Sequence, residues 1–271
     1  MAEQYWKGKR CLISGGSAGL GLAIATALAK RGARLALAAR NQERLGIAAA
    51  QLREFGAKEV LVAPTNVAWE EDVDRLREKV SQEFGALDLL CNCAGRSSRG
   101  KVLDTTTDDF QQLLDVNFLA TVRMTRAFAP LLFEAKGHVV NIGSLASKVA
   151  PRYLGAYPAS KHALAAYTQQ LRLENQEAGL HVMLVCPGPI KDSNVSRYQK
   201  AAEGLPSEAA GAGGGAKVSA VDPEKLAERI LIACEKRRPE LVVPWKSKLL
   251  FASSGLSARW GDWLLSRFTP K

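Results

Sequence analysis

Residues 10–29 read RCLISGGSAGLGLAIATALA, and this stretch decides the fold. Arg10 to Ser14 is a short apolar run that predicts a strand, and 19–31 carries a helical period. Between them lie Gly15, Gly16, Ser17, Ala18, Gly19, Leu20 and Gly21. Glycines in a strand-to-helix turn permit positive φ and let the backbone come close to a bound group. The N-terminus of the following helix offers unpaired N–H groups and the positive end of a dipole. A G-x-x-x-G-x-G spacing is weak evidence alone; opening a helix directly after a strand, it predicts a site for nucleotide phosphates.

Outward from that unit the same alternation recurs. Runs 34–39, 59–64, 87–92, 138–143 and 181–186 are near-continuously apolar, as strands buried on both faces require. Helical periods occupy 41–56, 69–85, 107–135 and 156–179, and 222–237 precedes one more run at 241–244. This predicts an α/β fold: a Rossmann-type doubly wound parallel sheet of about seven strands with helices on both faces. Residues 1–244 are read as a single catalytic domain and 245–271 as a tail. Residues 203–216, EGLPSEAAGAGGGA, are poor in large apolar side chains. They are either a surface loop or a mobile substrate lid spanning about 190–219. Their place after the sixth strand, where ligands bind such sheets, favours the lid.

The bulk numbers agree with a folded enzyme-sized domain. The chain has 271 residues, 47% hydrophobic and 24% charged, with a net charge of +10. Eight Lys or Arg against Glu240 and Asp262 fall between 236 and 271, a net +6. The body is therefore only mildly basic, which excludes a nucleic-acid-binding body. No apolar run reaches the length of a spanning helix, and MAEQYWKGKR shows no secretory signal. Cys11, Cys91, Cys93, Cys186 and Cys234 are read as free, mostly buried thiols in a cytoplasmic setting, with no metal.

Three further features carry chemistry. At the end of strand two, Ala39-Arg40-Asn41 offers an arginine and no acid. An acid there would bond a ribose 2′-OH, whereas Arg40 suits a 2′-phosphate, so NADP (NADPH) is expected over NAD. At the end of strand three, Asn66 and Val67 stand where an amide can meet the adenine edge. Ser144 closes strand five, and Tyr157 with Lys161 opens the next helix as Y-x-x-x-K. The i,i+4 spacing sets Tyr and Lys on one helix face. An ammonium nearby favours the phenolate, which makes the tyrosine a usable acid or base for a carbonyl/alcohol pair. Ser144 can hold a developing oxyanion. Tyr5 and Lys9 repeat the spacing before strand one, on no recognisable helix, so placement rather than spacing singles out Tyr157. His162 is read as a helix residue.

With these motifs in order, the sequence resembles the short-chain dehydrogenase/reductase family over residues 8–244. The glycine motif appears with Ser14 replacing threonine, and N-N-A-G appears as Asn92-Cys93-Ala94-Gly95. A helix asparagine appears as Asn117, Ser144 falls thirteen residues before Tyr157, and Pro187-Gly188 follows strand six. The resemblance implies Tyr157 as general acid, with Lys161 lowering its pKa and bonding the nicotinamide ribose. It implies Ser144 on the carbonyl oxygen and Asn117 holding a relay water. It places the cofactor on Gly15, Ser17, Gly19, Leu20, Gly21, Arg40, Asn66, Val67, Asn92, Ala94, Gly95, Tyr157, Lys161, Pro187, Gly188 and Ile190. Two positions depart: Asp192 replaces the usual threonine after the Pro-Gly turn, with Ser193 as a substitute, and Asn66 replaces an aspartate. The 159–164 and 186–190 stretches look most like membrane-associated carbonyl and steroid reductases.

The expected activity is NADP(H)-dependent interconversion of a carbonyl and an alcohol on a hydrophobic small molecule. A 3-oxoacyl reductase of lipid synthesis is the alternative within that class; a non-catalytic NADP-binding sensor or scaffold is the alternative outside it. The two long catalytic helices predict a homodimer or homotetramer. The tail, with Trp245, Trp260 and Trp263 among Lys246, Lys248, Arg259, Arg267 and Lys271, either packs on protein or lies in a membrane interface.

Overall fold

A computed structural model describes residues 5–191, 199 and 202–269 of the chain. Seven strands are laid down in chain order: β1 (Arg10–Ser14), β2 (Arg34–Ala39), β3 (Val60–Pro64), β4 (Leu89–Asn92), β5 (His138–Ile142), β6 (His181–Pro187) and β7 (Glu240–Val243). They form one sheet in the order β3-β2-β1-β4-β5-β6-β7, with every pairing parallel. The order reverses between β1 and β4, so the crevice at their carboxyl ends is the topological switch point where ligands of such sheets bind.

Side chains alternate between the two faces of the sheet, as β1 shows. Cys11 and Ile13 of β1 enter one core, formed with α1 (Gly19–Ala29), α2 (Gln42–Glu54) and α7 (Pro223–Glu235). Leu12 enters the other, formed with α3 (Glu70–Phe84) and α5 (Ala120–Glu134). Covered on both faces, the strands have no polar side to show, which explains their continuous apolar runs. The sheet also carries helices α4 (Thr107–Leu114) and α6 (Tyr157–Glu174), and the tail forms α8 (Ser247–Leu256) and α9 (Ala258–Phe268).

Two sequence expectations need correcting. The helix expected over 107–135 is not continuous: α4 and α5 are joined by a π-helical turn at Asp115–Leu119. Tyr5 is helical rather than outside any helix, and Lys9 Nζ lies 5.9 Å from its ring centre. Both stand at the amino edge of the sheet, opposite the expected chemistry. Within 203–216, the segment read as a substrate lid, short turns form at Ser207–Ala210 and Ala212–Gly215. Asp192 and Ser193 lie outside the described residues, as do 194–198, 200 and 201 of the expected lid.

The amino edge is closed by a chain of hydrogen bonds whose direction follows from its last acceptor. The Arg238 carbonyl can only accept, so His181 Nε2 carries the proton in that 2.8 Å contact. Neutral His181 then accepts at Nδ1 from His138 Nδ1, at 2.7 Å. His138 Nε2 accepts in turn from the Tyr5 hydroxyl at 2.8 Å. Burial, and then the neighbouring His181, pull the His138 pKa down to about 3, so both rings stay neutral at ordinary pH. With Cys234 these rings make a buried group of potential metal donors that the sequence reading did not foresee. The imidazole nitrogens already have partners within the protein.

Candidate active site

The glycine turn is built for close approach. Gly15 has φ +69, and a side chain there would press on the Ala94 backbone at 3.0 Å. A side chain on Gly21 would run into the Gly15 carbonyl. Ser14, fully within the strand, accepts from the backbone N–H of Cys93 (3.1 Å) and Ala94 (3.2 Å) and so ties β1 to the loop after β4. A threonine hydroxyl would do the same, which accounts for the exchange seen in the motif. Helix α1 begins after Ala18, which provides no side-chain cap, and its first turn has no acid. Its first N–H groups therefore face the crevice without an internal acceptor, the arrangement that receives phosphate. Ser17 borders this turn half-buried, whereas Leu20 is buried and anchors the helix.

At the end of β2, Arg40 is exposed, and Asn41 beside it caps α2 by accepting from Arg44 N at 2.8 Å. Arg40 is thus held at the strand's carboxyl end while its guanidinium reaches solvent. At the end of β3, Asn66 is partly spent: its Oδ1 accepts from Ala68 N at 3.2 Å and closes a turn. Contact with a base would fall to its NH₂ group. Val67 is buried in the second core. Asn92 likewise looks inward. Its amide donates to Asn141 Oδ1 at 2.9 Å and to Thr125 at 3.4 Å, and Asn141 donates to Thr168 on α6 at 3.0 Å. Asn92 therefore supports the sheet, and the loop residues Ala94 and Gly95 border the crevice.

The π-helical turn explains how Asn117 reaches that loop. One extra residue in the turn swings Asn117 inward, where it is 1% exposed. Its Oδ1 accepts from Arg96 N at 2.8 Å, and its Nδ2 donates to Arg96 O at 2.9 Å and Ser160 Oγ at 3.0 Å. The side chain is fully engaged in joining three elements, so any relay water attributed to Asn117 would rest on its main-chain carbonyl.

Helix α6 starts at Tyr157, just past the carboxyl edge of β5, and Pro158 at its first turn suits a helix start. Lys161 is 5% exposed and donates to the Ile142 carbonyl at 2.8 Å, two residues before Ser144. Its ammonium stands 5.8 Å from the Tyr157 ring centre, on the same helix face. Burial lowers its pKa to about 8, so the ammonium is poised near neutrality. Ser144 begins a short turn and accepts from Ala146 N at 3.1 Å. Ser160, which the sequence reading passed over, accepts from Asn117 and donates to the Tyr157 carbonyl at 2.8 Å. Its only signal was its position inside the Y-x-x-x-K spacing.

The opposite wall is the Gly-rich segment. Pro187 ends β6, and Gly188 N just past it donates to Val243 O at 2.7 Å. Ile190 then pairs with Val221, pinching the base of the loop that leaves the sheet. Buried Arg99 holds its far side: Nε donates to Ala209 O and Nη2 to Gly211 O, both at 2.7 Å. Gly213 and Gly214 take positive φ and lie so near Pro189 and Leu154 that a side chain would collide at 2.7 Å. The composition that read as looseness is thus a requirement of tight packing. A cavity of about 640 Å³ lies nearby, lined by residues including Val102, Phe110, Tyr153 and His162. Pro158 and Ala159, the residues that follow Tyr157, also line it. His162 itself bonds the Pro158 carbonyl of its own helix at 2.8 Å.

Comparison with known proteins accords with this geometry. The family model described as short chain dehydrogenase matches residues 9–204. An uncharacterized oxidoreductase of Staphylococcus aureus (strain MW2) is 32% identical over 226 residues, 83% of this chain and 90% of that protein. Among solved structures, L-sorbose reductase from Gluconobacter frateurii, complexed with NADPH and L-sorbose, superposes with TM-score 0.75 at 28% identity. That match covers 90% of this chain and 97% of the reductase. A short chain dehydrogenase/reductase from Burkholderia phymatum, in complex with NAD, shares the fold at TM-score 0.81 and 24% identity, over 94% and 95% of the two chains.

Proposed function

The chain belongs to the short-chain dehydrogenase family, and we propose that it interconverts a carbonyl and an alcohol using NADP(H), with Tyr157 as general acid and base. The carrying observation is Lys161, buried against the carboxyl end of β5 on the helix face it shares with Tyr157. A buried ammonium is costly unless its charge serves a neighbour. Here it favours the phenolate and so brings the Tyr157 proton within reach of carbonyl chemistry.

The pyrophosphate would lie on the Gly15–Gly21 turn and the uncapped start of α1, and the 2′-phosphate beside Arg40. When bound, the reduced nicotinamide supplies a hydride to the carbonyl carbon. Tyr157 gives its proton to the oxygen as that bond breaks, and Ser144 steadies the negative charge developing there. Lys161 compensates the phenolate left behind and passes a proton back from solvent. The reverse sequence oxidises an alcohol. The substrate is read as hydrophobic, with the segment of about 190–219 as its lid. Homodimer or homotetramer assembly through α4–α6 is part of the same proposal; Phe133 and Leu173 are exposed on α5 and α6.

Tyr157→Phe tests the mechanism. Turnover of NADPH with a panel of ketones should fall at least about a hundredfold, the usual worth of a positioned acid. NADPH binding, followed by its fluorescence, should stay within about twofold, because Tyr157 contributes mainly the proton. Retained turnover would reject Tyr157 as the acid. An intact protein that binds NADPH yet reduces no carbonyl would favour the sensor instead.

A further inference from the structure

Helix α8 is fastened to the body by Phe251, which packs on Leu184, Cys186 and Val242 at the β6–β7 end of the sheet. A single residue, Ser257, separates α8 from α9 and accepts from Trp260 N. The two helices cross so closely that a side chain on Gly261 would strike Ser254 Cα at 2.7 Å. Gly261 therefore marks the inward side of α9 and fixes what faces out.

What faces out is apolar and basic together. Trp245 (64% exposed), Leu249 (68%), Leu256 (88%), Trp260 (72%) and Trp263 (56%) concentrate within residues 245–263. Lys246, Lys248, Arg259 and Arg267 are exposed among them, against the single acid Asp262. The Arg267 guanidinium stacks 4.3 Å from the Trp263 ring, which leaves its charge at the edge of the aromatic patch. Among the described residues no helix is long and apolar enough to cross a membrane.

We propose that α8 and α9 form an interfacial anchor that seats the protein on an anionic lipid surface. Tryptophan prefers the half-wet headgroup layer, and basic residues beside it add attraction to anionic lipid. Each such residue near the surface is worth about a fivefold gain in partitioning. A second copy of this chain fits the surface poorly, because a two-fold contact would set four cations and one acid against their like. The anchor springs from the carboxyl end of β7, the edge that holds Tyr157 and Lys161. Docking therefore turns the reaction crevice toward the bilayer.

The test uses the full-length chain with vesicles of phosphatidylcholine, with or without phosphatidylglycerol. The anionic vesicles should co-sediment the protein and blue-shift its tryptophan emission, and high salt should weaken binding at least about tenfold. Trp260→Ser with Trp263→Ser should lose at least about tenfold in binding, while circular dichroism and carbonyl turnover stay unchanged; Trp69→Ser, an exposed tryptophan on the body, should bind as before. Failure of the intact protein to bind anionic vesicles would overturn the proposal. So would equal binding by the double variant. If that variant instead shifts the protein to a smaller species in sedimentation, with no vesicle binding by the parent, the patch is a protein interface. The NADPH-binding and carbonyl assays are separate, so failure here leaves the proposed reaction untouched.

Discussion

Arg40 sits at the carboxyl end of β2 with its guanidinium in solvent and no acid beside it on the strand. A hydrogen bond between charged groups is worth about 1.5–3 kcal/mol, and 1.4 kcal/mol is a factor of ten. Arg40→Asp should therefore lower the ratio of kcat/KM for NADPH over NADH by at least about tenfold. An unchanged ratio would make Arg40 a solvent residue and remove the argument for NADP. At this scale much was legible in the sequence, because the positions with fixed chemistry lie in short contiguous motifs. Gly15, Gly21, Tyr157 and Lys161 all stand where their spacing put them. Ser160 and Arg99 were not legible, since their partners are 43 and 110 residues away in the chain. No local pattern encodes a contact at such a distance.

Among elements, the segment 202–216 shows what composition conceals. Poverty in large side chains read as mobility, yet two glycines of positive φ, Gly213 and Gly214, are what allow its backbone to lie on Pro189 and Leu154. Arg99 then secures it with two backbone carbonyls. Arg99→Met keeps the bulk and removes the donors. Amide exchange across 205–216 should accelerate at least about tenfold. Substrate KM should rise more than kcat falls, since the wall moves and Tyr157 does not. Exchange rates equal to those of the parent would show that the glycine packing alone holds the segment. The π-helical turn was hidden for a related reason: residues 107–135 keep a helical period through it, and one inserted residue leaves no mark in apolar spacing.

The molecule as a whole is most exposed to acid at the amino edge. His138 carries a folded pKa of about 3 against 6.5 for a free imidazole, and His181 is lowered in the same direction. A depressed folded value means the unfolded chain takes up protons first. The stability is thus full above about pH 6.5 and drains as pH falls toward 3. By pH 5 the loss from His138 alone should be about 2 kcal/mol. Asp88 deepens the decline further down: burial would raise its carboxyl, but hydrogen bonds from Arg10 and Lys9 hold it below the usual range. Urea unfolding at pH 7.5 and pH 5 would measure this, and identical midpoints would contradict it.

The parallel sheet keeps this acid-sensitive clasp and the reaction crevice at opposite rims. Its strands are four to seven residues long, so the rims stand about 15 Å apart. Heritable variation can accordingly act on them independently. Loops at the carboxyl rim are free to be redrawn for new substrates while Tyr5, His138, His181 and Arg238 go on tying the amino rim of the sheet together. An ancestor with this architecture could diversify its chemistry repeatedly without renegotiating how it folds.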